Sequence, residues 1–575
     1  MKNLKYIFLA SSLFLFTNCN DPEDVDLNLV VEEEAKPALT AGSADFSKYV
    51  AIGNSFTAGF TDNALFVASQ ENSFPNLLSQ KFSLVGGGNF SQPLMNDNFG
   101  GLLLGGSPVL DPLTGKNLFA PRLYFYSDSN SACPDFTGPV VLGIDPNDSG
   151  TQVTSSTTDF LLNNPTGPFN NMGVPGAKSF HLLAPGYGAL ANLSLGLANP
   201  YFIRMASESN ASVLGDVVAQ SPSFFTLWVG INDVLGYALS GGDGSSAITP
   251  LDGAPGVGFN QTYATLIGAV TAGGAKGVVA NIPDVTSIPH FTTVPYNPLD
   301  PNDECLQSYT DQIPTLNGVF GQLNQVFAYL ESQGIPNATD RQIVFSTTEA
   351  SAVVVNDESL INLSTQIAGV LKVSPTFPAF VQSFGLPVEA APVVADLFGL
   401  AYGQARQATA DDLLVLPSSS IIGTVNTSSV AFLMSQGLSQ ALAGQFSVEG
   451  VSLPLADKWV LLPSEQAEIA AATTAFNATI AASATQAGLG LVDANALMSK
   501  LADGGVTSGN FILTSVLVRG GAFSLDGVHP TARGYALIAN EFMKAIDVTY
   551  GSNFEASGSL LDIGAYPTNY SSTLQ

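Results

Sequence analysis

The residues best suited to chemistry stand near the two ends of the chain. Residues 53–59 have the sequence GNSFTAG, and residues 526–530 have the sequence DGVHP. A serine hydroxyl becomes a good nucleophile when an adjacent base takes its proton, and a histidine oriented by an aspartate can be that base. The chain has only three histidines, so one placed just behind an aspartate is a specific signal. Ser55, His529 and Asp526 are therefore the candidate nucleophile, base and acid for acyl transfer.

Two motifs between these ends could stabilise the negative charge that develops during acyl transfer. Residues 171–176 have the sequence NMGVPG, and residues 230–233 have the sequence GIND. Glycine allows a backbone to approach a substrate closely, and losing one oxyanion donor typically costs about 2.7–4 kcal/mol in the transition state. The other two histidines lack such a context: we expect a structural role for His181 and assign no function to His290.

Short apolar runs precede these motifs and predict the strands that position them. Alternating strands and helices predict a parallel sheet with helices on both faces, and in such a sheet sites form at the carboxyl ends of the strands. Pro530 disfavours a helical conformation at His529, so the acid and the base are expected in a loop before the last helix. The predicted strands are 48–52, 224–229, 277–282 and 488–492, and the predicted helices are 262–272, 315–333, 464–487 and 531–546.

Two regions do not follow this alternation. Residues 86–165 are rich in Gly, Pro, Asn and Asp, whereas residues 290–460 combine proline turns with apolar helical stretches such as 360–371 and 388–403. Both are predicted to be insertions in one core domain, because the candidate catalytic residues come from both ends of the chain and must meet. The second insertion either extends the core or forms a helical cap over the site.

Together the four motifs resemble the sequence blocks of the SGNH (GDSL-type) hydrolase family, over the catalytic core but not over the insertions. Residues 71–75 (ENSFP) resemble the segment that follows the nucleophile helix of the family, and residues 280–284 (ANIPD) resemble a further block. The resemblance implies a flavodoxin-like three-layer α/β/α core with a parallel sheet. It also implies a serine carboxylester hydrolase that forms an acyl-serine intermediate and needs no metal or other cofactor.

The same resemblance implies the role of each motif residue. The catalytic residues would be Ser55, Asp526 and His529. The oxyanion hole would comprise the backbone N–H groups of Ser55 and Gly176 and the side-chain amide of Asn232.

The chain departs from the family pattern beside the nucleophile, because Asn54 replaces the usual Asp and Phe56 replaces the usual Leu. Neither position belongs to the triad or to the oxyanion hole. The departure leaves a second hypothesis open, a non-catalytic surface lipoprotein that binds glycan or lipid on a relic fold. For an active hydrolase two substrate classes remain open, lipid or fatty-acyl esters and acetylated polysaccharides.

The first residues predict export and a lipid anchor. Two lysines precede an apolar stretch that ends at Cys19, and this order is typical of a secretory signal peptide. A cysteine at the cleavage point resembles a bacterial lipoprotein signal, which implies a signal peptide over 1–18 and lipidation of Cys19. The acidic stretch behind it predicts a flexible tether over 19–45 and resembles surface-export signals of Bacteroidetes lipoproteins. We therefore expect an outer-membrane protein exposed at the cell surface, with its hydrolase domain over 46–575.

Composition restricts the partners. Charged residues are 11% of the chain and the formal net charge is −29, which argues against nucleic acid because few cations could neutralise phosphates. The expected partners are an ester substrate and a membrane, the latter through the lipid anchor. Once Cys19 is lipidated, Cys133 and Cys305 remain in an oxidising compartment, where they either pair as a disulfide or stay as free thiols.

Overall fold

The computed structural model describes residues 36–112, 115–127, 137–144 and 156–574. By its internal contacts the chain divides after Ala38, and every element given below belongs to the unit that begins at Leu39. The proposed signal peptide, Cys19 and most of the proposed tether lie outside the described residues.

The segment 39–45, which the sequence analysis assigned to the tether, is part of the unit that begins at Leu39. The N–H of Thr40 donates to Asn553 Oδ1 (2.7 Å), and the N–H of Ser43 donates to the Tyr550 carbonyl (2.8 Å). An acidic composition gives no sign of such backbone contacts with the far end of the chain. The compact unit therefore begins a few residues earlier than expected.

The described residues contain fifteen strands, most of them short. In chain order these are β1 (Tyr49–Gly53), β2 (Leu103–Leu104), β3 (Ser107–Pro108), β4 (Leu123–Ser127), β5 (Thr137–Val141), β6 (Asn171–Gly173), β7 (Phe224–Trp228), β8 (Lys276–Ala280), β9 (Val354–Asn356), β10 (Ala405–Gln407), β11 (Leu413–Leu414), β12 (Val460–Leu461), β13 (Gly490–Val492), β14 (Val506–Ser508) and β15 (Phe511–Leu513).

The same residues contain seventeen α-helices. In chain order these are α1 (Ser55–Ala58), α2 (Val67–Glu71), α3 (Phe74–Phe82), α4 (Pro200–Ile203), α5 (Val213–Ala219), α6 (Ile231–Leu239), α7 (Phe259–Thr271), α8 (Pro289–Thr292), α9 (Gln307–Ser332), α10 (Ser364–Val373), α11 (Phe377–Ser383), α12 (Ala391–Tyr402), α13 (Thr427–Ser435), α14 (Gln440–Gln445), α15 (Pro463–Ala487), α16 (Ala494–Ala502) and α17 (Ala532–Tyr550).

Five strands form one all-parallel sheet in the order β6-β1-β7-β8-β13. Gly53 at the end of β1 pairs with Gly173 of β6 on one side and with Trp228 of β7 on the other. Helices such as α15 and α17 pack against the sheet strands. The predicted parallel sheet flanked by helices is confirmed, and the arrangement is compatible with three α/β/α layers.

Four of the five sheet strands were predicted to within two residues of their observed bounds. The fifth, β6, was not, because three residues beginning with asparagine give no apolar run. All three of its residues are buried, and the Asn171 side chain donates to the Thr57 carbonyl (3.0 Å). That bond satisfies a buried amide, which would otherwise be costly in this position.

The centre of the sheet is apolar over its whole length. Every residue of β1 and β7 is buried, as expected for parallel strands covered on both faces. The polar exceptions pair with each other, since the Tyr49 hydroxyl lies 2.9 Å from Thr226 Oγ1. Beside them Phe46 stacks on Phe82 and meets Phe224 edge-on, at centroid distances of 3.9 Å and 4.8 Å.

The first insertion forms the hairpins β2–β3 and β4–β5 and a small apolar cluster that includes Leu102 and Phe160. Its Arg122 side chain is fully buried and donates to the carbonyls of Ser571 (2.6 Å) and Leu574 (2.8 Å). The insertion therefore fixes the last described residues of the chain.

The second insertion has a hydrophobic core of its own, distinct from the core around the sheet. It contains helices α8 to α14 and strands β9 to β12, and two of its predicted helical stretches are α10 and α12. Within it, Arg406 forms ion pairs with Asp357 (2.6 Å) and Asp412 (2.6 Å).

Helix α9 begins at Gln307, well before the predicted start at residue 315. Pro314 lies inside this helix, where a proline removes a hydrogen bond at a cost of about 3 kcal/mol. Ile313 and Leu316 are both buried in the core of the second insertion. Their packing on either side of the proline explains why the helix continues through it.

No single helix among the described residues is both long and apolar enough to cross a bilayer. The segments Phe377–Ser383 and Val388–Tyr402 meet that description only when taken together, and they are bent by 117° relative to each other.

Candidate active site

Strand β1 delivers Ser55 to the carboxyl edge of the sheet. Asn54 caps helix α1 by accepting a hydrogen bond from the N–H of Phe56 (3.0 Å), and Ser55 is the first residue of that helix. The turn leaves no room for a side chain at Gly53, because a Cβ there would collide with the Trp228 carbonyl oxygen. The glycine before the cap thus lets β1 and β7 stay paired up to the turn that carries Ser55.

Ser55, His529 and Asp526 form a continuous chain of hydrogen bonds. His529 Nε2 lies 2.9 Å from Ser55 Oγ, and His529 Nδ1 lies 2.8 Å from Asp526 Oδ2. The acid and the base stand in a loop, as expected, and α17 begins after Thr531, whose side chain caps it. In this geometry the histidine can accept the serine proton at one nitrogen while the carboxylate orients the other.

Asp526 accepts hydrogen bonds through both carboxylate oxygens. Oδ1 accepts from the N–H groups of Val528 (2.9 Å) and His529 (2.8 Å), and Oδ2 also accepts from the N–H of Asn63 (2.9 Å). Burial raises the pKa of this carboxyl group, but the charge of His529 and these hydrogen bonds outweigh it and hold the pKa well below its usual range. Asp526 is therefore an ionised, fixed orienting group.

The candidate oxyanion donors lie on neighbouring strands of the same edge. Gly176 follows β6 with φ +78°, and the backbone N–H groups of Gly176 and Ser55 donate to no acceptor among the described residues. Asn232 lies in the first turn of α6, just after β7, and one of its amide hydrogens bonds the Ala177 carbonyl (3.0 Å). That bond orients the amide beside the Gly176 segment and leaves its second hydrogen available.

Asp233 connects the segments that carry these donors, although no role was predicted for it from the sequence. The residue is fully buried and accepts hydrogen bonds from Ser179 N (2.8 Å) and Ser179 Oγ (2.6 Å). It thereby links α6, which carries Asn232, to the chain just after Gly176. The signal that could have identified it is the position of this aspartate, directly after the candidate asparagine of the GIND motif.

Asn54 performs the local capping that a carboxylate would perform. Its Oδ1 accepts from Phe56 N, but Nδ2 is buried without a hydrogen-bond partner among the described residues, as is the hydroxyl of Thr57. Asn and Asp are about equally good caps, so the departure from the family pattern leaves the nucleophile turn intact. Two polar atoms of this turn, Asn54 Nδ2 and Thr57 Oγ1, stay unsatisfied among the described residues.

An aromatic wall borders the base, and sequence patterns gave no sign of it. The rings of Phe56 and Phe60 lie 5.3 Å and 4.7 Å from the ring of His529. Phe60 in turn contacts Tyr201 at 6.3 Å, and Tyr201 contacts Phe119 of the first insertion at 6.2 Å. The site is thus apolar on one side, and the first insertion contributes to that wall.

The two other histidines differ in their surroundings. His181 Nδ1 accepts from the N–H of Lys178 (3.0 Å), and its ring stacks on Tyr187 at 4.9 Å. The backbone N–H of His290 donates to the Gly527 carbonyl (2.9 Å), but its two ring nitrogens have no partner among the described residues. Burial lowers the pKa of both histidines to about 4, so both are neutral at physiological pH.

Cys305 is disulfide-bonded, whereas Cys133 and Cys19 lie outside the described residues. Among the residues that the structure describes, one group of carboxylates is close enough to share a cation, and it contains none of the triad members.

Comparison of the chain with protein-family models, with curated proteins and with solved structures found no match. The geometry of the site and the sequence motifs at its positions are therefore the basis for assigning it a function.

Proposed function

We propose that the chain is a serine carboxylester hydrolase of the SGNH type, and that its parallel sheet is the flavodoxin-like core of that family. One observation carries the proposal: the hydrogen-bond chain from Ser55 Oγ through both nitrogens of His529 to Asp526. Two of these residues are separated from the third by more than four hundred positions in sequence. A local hydrogen-bonded turn therefore cannot explain the contact between Ser55 and His529.

In the proposed acylation step, Ser55 Oγ attacks the ester carbonyl carbon while His529 Nε2 takes the serine proton. Asp526 stabilises the resulting imidazolium through Nδ1. The carbonyl oxygen becomes an oxyanion, which the N–H groups of Ser55 and Gly176 and the Asn232 amide stabilise. When the tetrahedral intermediate collapses, the imidazolium gives its proton to the leaving alcohol and an acyl-serine remains.

Deacylation repeats the same proton transfers with water as the nucleophile. His529 takes a proton from water as the oxygen attacks the acyl-serine carbonyl, and the same donors stabilise the second oxyanion. Collapse of this intermediate releases the carboxylic acid, and the proton returns to Ser55 Oγ. No step requires a group other than these side chains, backbone amides and water.

The first prediction concerns the nucleophile. In residues 20–575, Ser55→Ala should lower kcat for p-nitrophenyl esters by about 10⁴-fold or more, because the other members cannot replace the attacking oxygen. The control is Ser83→Ala, which changes an exposed serine whose hydroxyl bonds only the Gln80 carbonyl. Initial rates with acetate, butyrate, octanoate and palmitate esters provide the measurement.

The same experiment separates the remaining hypotheses. Equal background rates for the unaltered protein and for Ser55→Ala on all four esters would contradict hydrolysis and favour the non-catalytic glycan- or lipid-binding lipoprotein. If Ser55→Ala is inactive, the acyl-chain profile of the unaltered protein distinguishes the two substrate classes. A preference for octanoate or palmitate would indicate lipid esters, which suit the aromatic wall, and a preference for acetate would indicate acetylated polysaccharides.

We also propose that the protein is exported and anchored to the outer membrane by lipid on Cys19. The support is the order of charged, apolar and cysteine residues at the start of the chain. Two or more acyl chains give stable membrane anchoring, whereas one gives only marginal binding. Expression of the full chain with Cys19→Ala should move the protein from the membrane fraction to the soluble exported fraction, and unchanged fractionation would contradict the anchor.

A further inference from the structure

The second insertion contains a concave pocket away from the candidate active site. Its volume is about 530 Å³, within the range of about 300–1,000 Å³ that is common for small-molecule sites. None of the residues that line it belongs to the triad or to the oxyanion donors. Helices α11, α12, α13 and α14 supply most of the lining, and most of their contributing side chains are aliphatic or aromatic.

The pocket explains why α12 is apolar on more than one face. Ala391 and Ala395 of this helix are buried in the core of the insertion, whereas Leu400 lines the pocket and is 65% exposed. Across from it Phe432 of α13 also lines the pocket and is 45% exposed. Large apolar side chains exposed in a concavity mark a binding site for an apolar group.

A carboxylate group lies on the wall of this apolar pocket. Asp457 lines the pocket, and its Oδ1 is buried without a hydrogen-bond partner in the described part of the chain. The carboxylate oxygens of Glu358 and Glu465 lie within 4.8 Å of that of Asp457. No lysine or arginine among the described residues forms an ion pair with these three groups, so Asp457 places an acidic group without a cationic partner on a largely apolar wall.

The crowding of these carboxyl groups raises the pKa of two of them. Burial together with repulsion from Glu358 raises the pKa of Asp457 to about 6. Burial and repulsion from Glu358 and Asp457 raise the pKa of Glu465 to about 8, although a hydrogen bond from Leu462 N–H opposes the shift. A cationic group placed among them would relieve this repulsion, whereas an anionic group would increase it.

We propose that this pocket binds a single-chain amphiphile with a cationic amine headgroup, whose hydrocarbon chain lies between α12 and α13 and whose ammonium group pairs with Asp457 and its neighbouring carboxylates. The apolar walls supply affinity for the chain, and the carboxylates supply preference for the headgroup. The site is separate from ester hydrolysis and does not depend on that proposal.

The test uses isothermal titration of residues 20–575 with dodecylamine, dodecanol and dodecanoate below their micellar concentrations, in the presence of a chelator. We expect dodecylamine to saturate one site and to bind roughly tenfold or more tightly than dodecanoate, given the strength of charge-assisted hydrogen bonds. Dodecanol, with the same chain and no charge, should bind with intermediate affinity.

Two variants locate the site from opposite walls. Ala401→Trp and Leu433→Trp place an indole in the pocket from α12 and α13, and each should abolish binding of all three ligands. Asp457→Asn should leave dodecanol binding unchanged and remove most of the advantage of dodecylamine over dodecanol. Val548→Trp, at an 87% exposed position of α17, is the matched control and should bind like the unaltered protein. Melting temperatures report that each variant is folded.

Several outcomes would overturn the proposal. Binding that survives both tryptophan variants would place the ligand elsewhere, and dodecanoate binding as tight as dodecylamine would contradict the headgroup assignment. Absence of saturable binding, with retention of the protein on uncharged phosphatidylcholine vesicles that both tryptophan variants lose, would show that the exposed leucine and phenylalanine form a membrane contact instead. Loss of hydrolysis in Ser55→Ala with unchanged titration would show that the two sites act independently.

Discussion

Asp526 and Asp62 are two carboxyl groups of one hydrogen-bond network whose acidities change in opposite directions. Asp526 accepts from backbone N–H groups at both oxygens and faces His529, so its pKa falls. Asp62 is almost fully buried and accepts from Leu525 N–H (3.0 Å), while its own N–H donates to Ser524 Oγ (3.0 Å). Burial and repulsion from Asp526 raise the pKa of Asp62 to about 7. Asp526 is thus ionised beside His529, whereas Asp62 retains its proton up to about pH 7.

Asp526→Asn tests the orienting role. An amide at this position carries no charge. It therefore neither fixes the tautomer of the imidazole nor stabilises the imidazolium, and kcat should fall by about 10⁴-fold. Folding lowers the pKa of Asp526. Its ionised form therefore stabilises the folded protein fully at pH values above the ordinary pKa range of an aspartate, and this stabilisation is lost as the pH falls. The measurements are kcat and KM for a short ester, with the exposed Asp252→Asn as control; an unchanged kcat would exclude Asp526 from the mechanism.

Asp62→Asn tests the buried proton. Asn also tolerates the positive φ of this position (+50°) and can accept from Leu525 N–H. Between pH 3.8 and about 7, the folded protein holds a proton that the unfolded chain has released, so its stability declines as the pH rises through that window. The variant should therefore gain on the order of 3–4 kcal/mol relative to the unaltered protein from pH 4 to 7, and no more above it. Urea unfolding at a series of pH values measures this, and a constant difference would contradict it.

At the scale of elements, the strands with a continuous apolar sequence were the ones that could be predicted. Strands β1, β7, β8 and β13 are continuous apolar runs and were predicted near their true bounds, whereas β6 is held by register with β1 and by the Asn171 amide, neither of which is visible in a local window. Ser55, His529 and Asp526 could be selected as candidates because the sequence has only three histidines, and the structure joins these three side chains by hydrogen bonds. Asp233 and the aromatic wall were missed because their roles depend on tertiary contacts.

A pair of glycine substitutions tests how closely β6 approaches the nucleophile helix. A Cβ on Gly173 would collide with the backbone of Ala58 in α1, whereas a Cβ on Gly268 in α7 meets nothing within 4 Å. Gly173→Ala should destabilise the protein by about 1–3 kcal/mol through overpacking and lower kcat as Ser55 shifts. Gly268→Ala should stabilise it by about 0.5–1 kcal/mol through helix propensity. The measurements are urea midpoints and kcat. Equal effects of the two substitutions would show that β6 and α1 leave room for a side chain at Gly173.

At the scale of the whole molecule, both insertions contact segments that matter to the site. The first contributes Phe119 to the aromatic wall and Arg122 to the C-terminal segment. The second contacts the loop that carries Asp526 and His529, where the His290 N–H donates to the Gly527 carbonyl, whereas none of the candidate catalytic residues lines its pocket. A prediction of insertions could be made from composition, yet their contacts with the core could not, because they join residues hundreds of positions apart.

Arg122 tests the connection between the first insertion and the C-terminus. Arg122→Met removes a buried guanidinium and leaves the carbonyls of Ser571 and Leu574 without a donor. We expect a loss of at least about 3 kcal/mol of unfolding free energy and rapid proteolysis of the released C-terminal segment. Arg519→Met, at an exposed position, is the control. Retained stability with an intact C-terminus would show that the carbonyls find other partners.

The hydrogen bond between Ser55 and His529 joins positions 474 residues apart, and this has a consequence for biogenesis. If the chain is the exported hydrolase proposed above, a growing chain contains Ser55 long before it contains His529, so the catalytic hydrogen bond cannot form until synthesis is almost finished. Closing so long a loop is also entropically unfavourable until the intervening segments have folded. For the proposed hydrolase, the first appearance of esterase activity would therefore report that the two ends of the chain have come together.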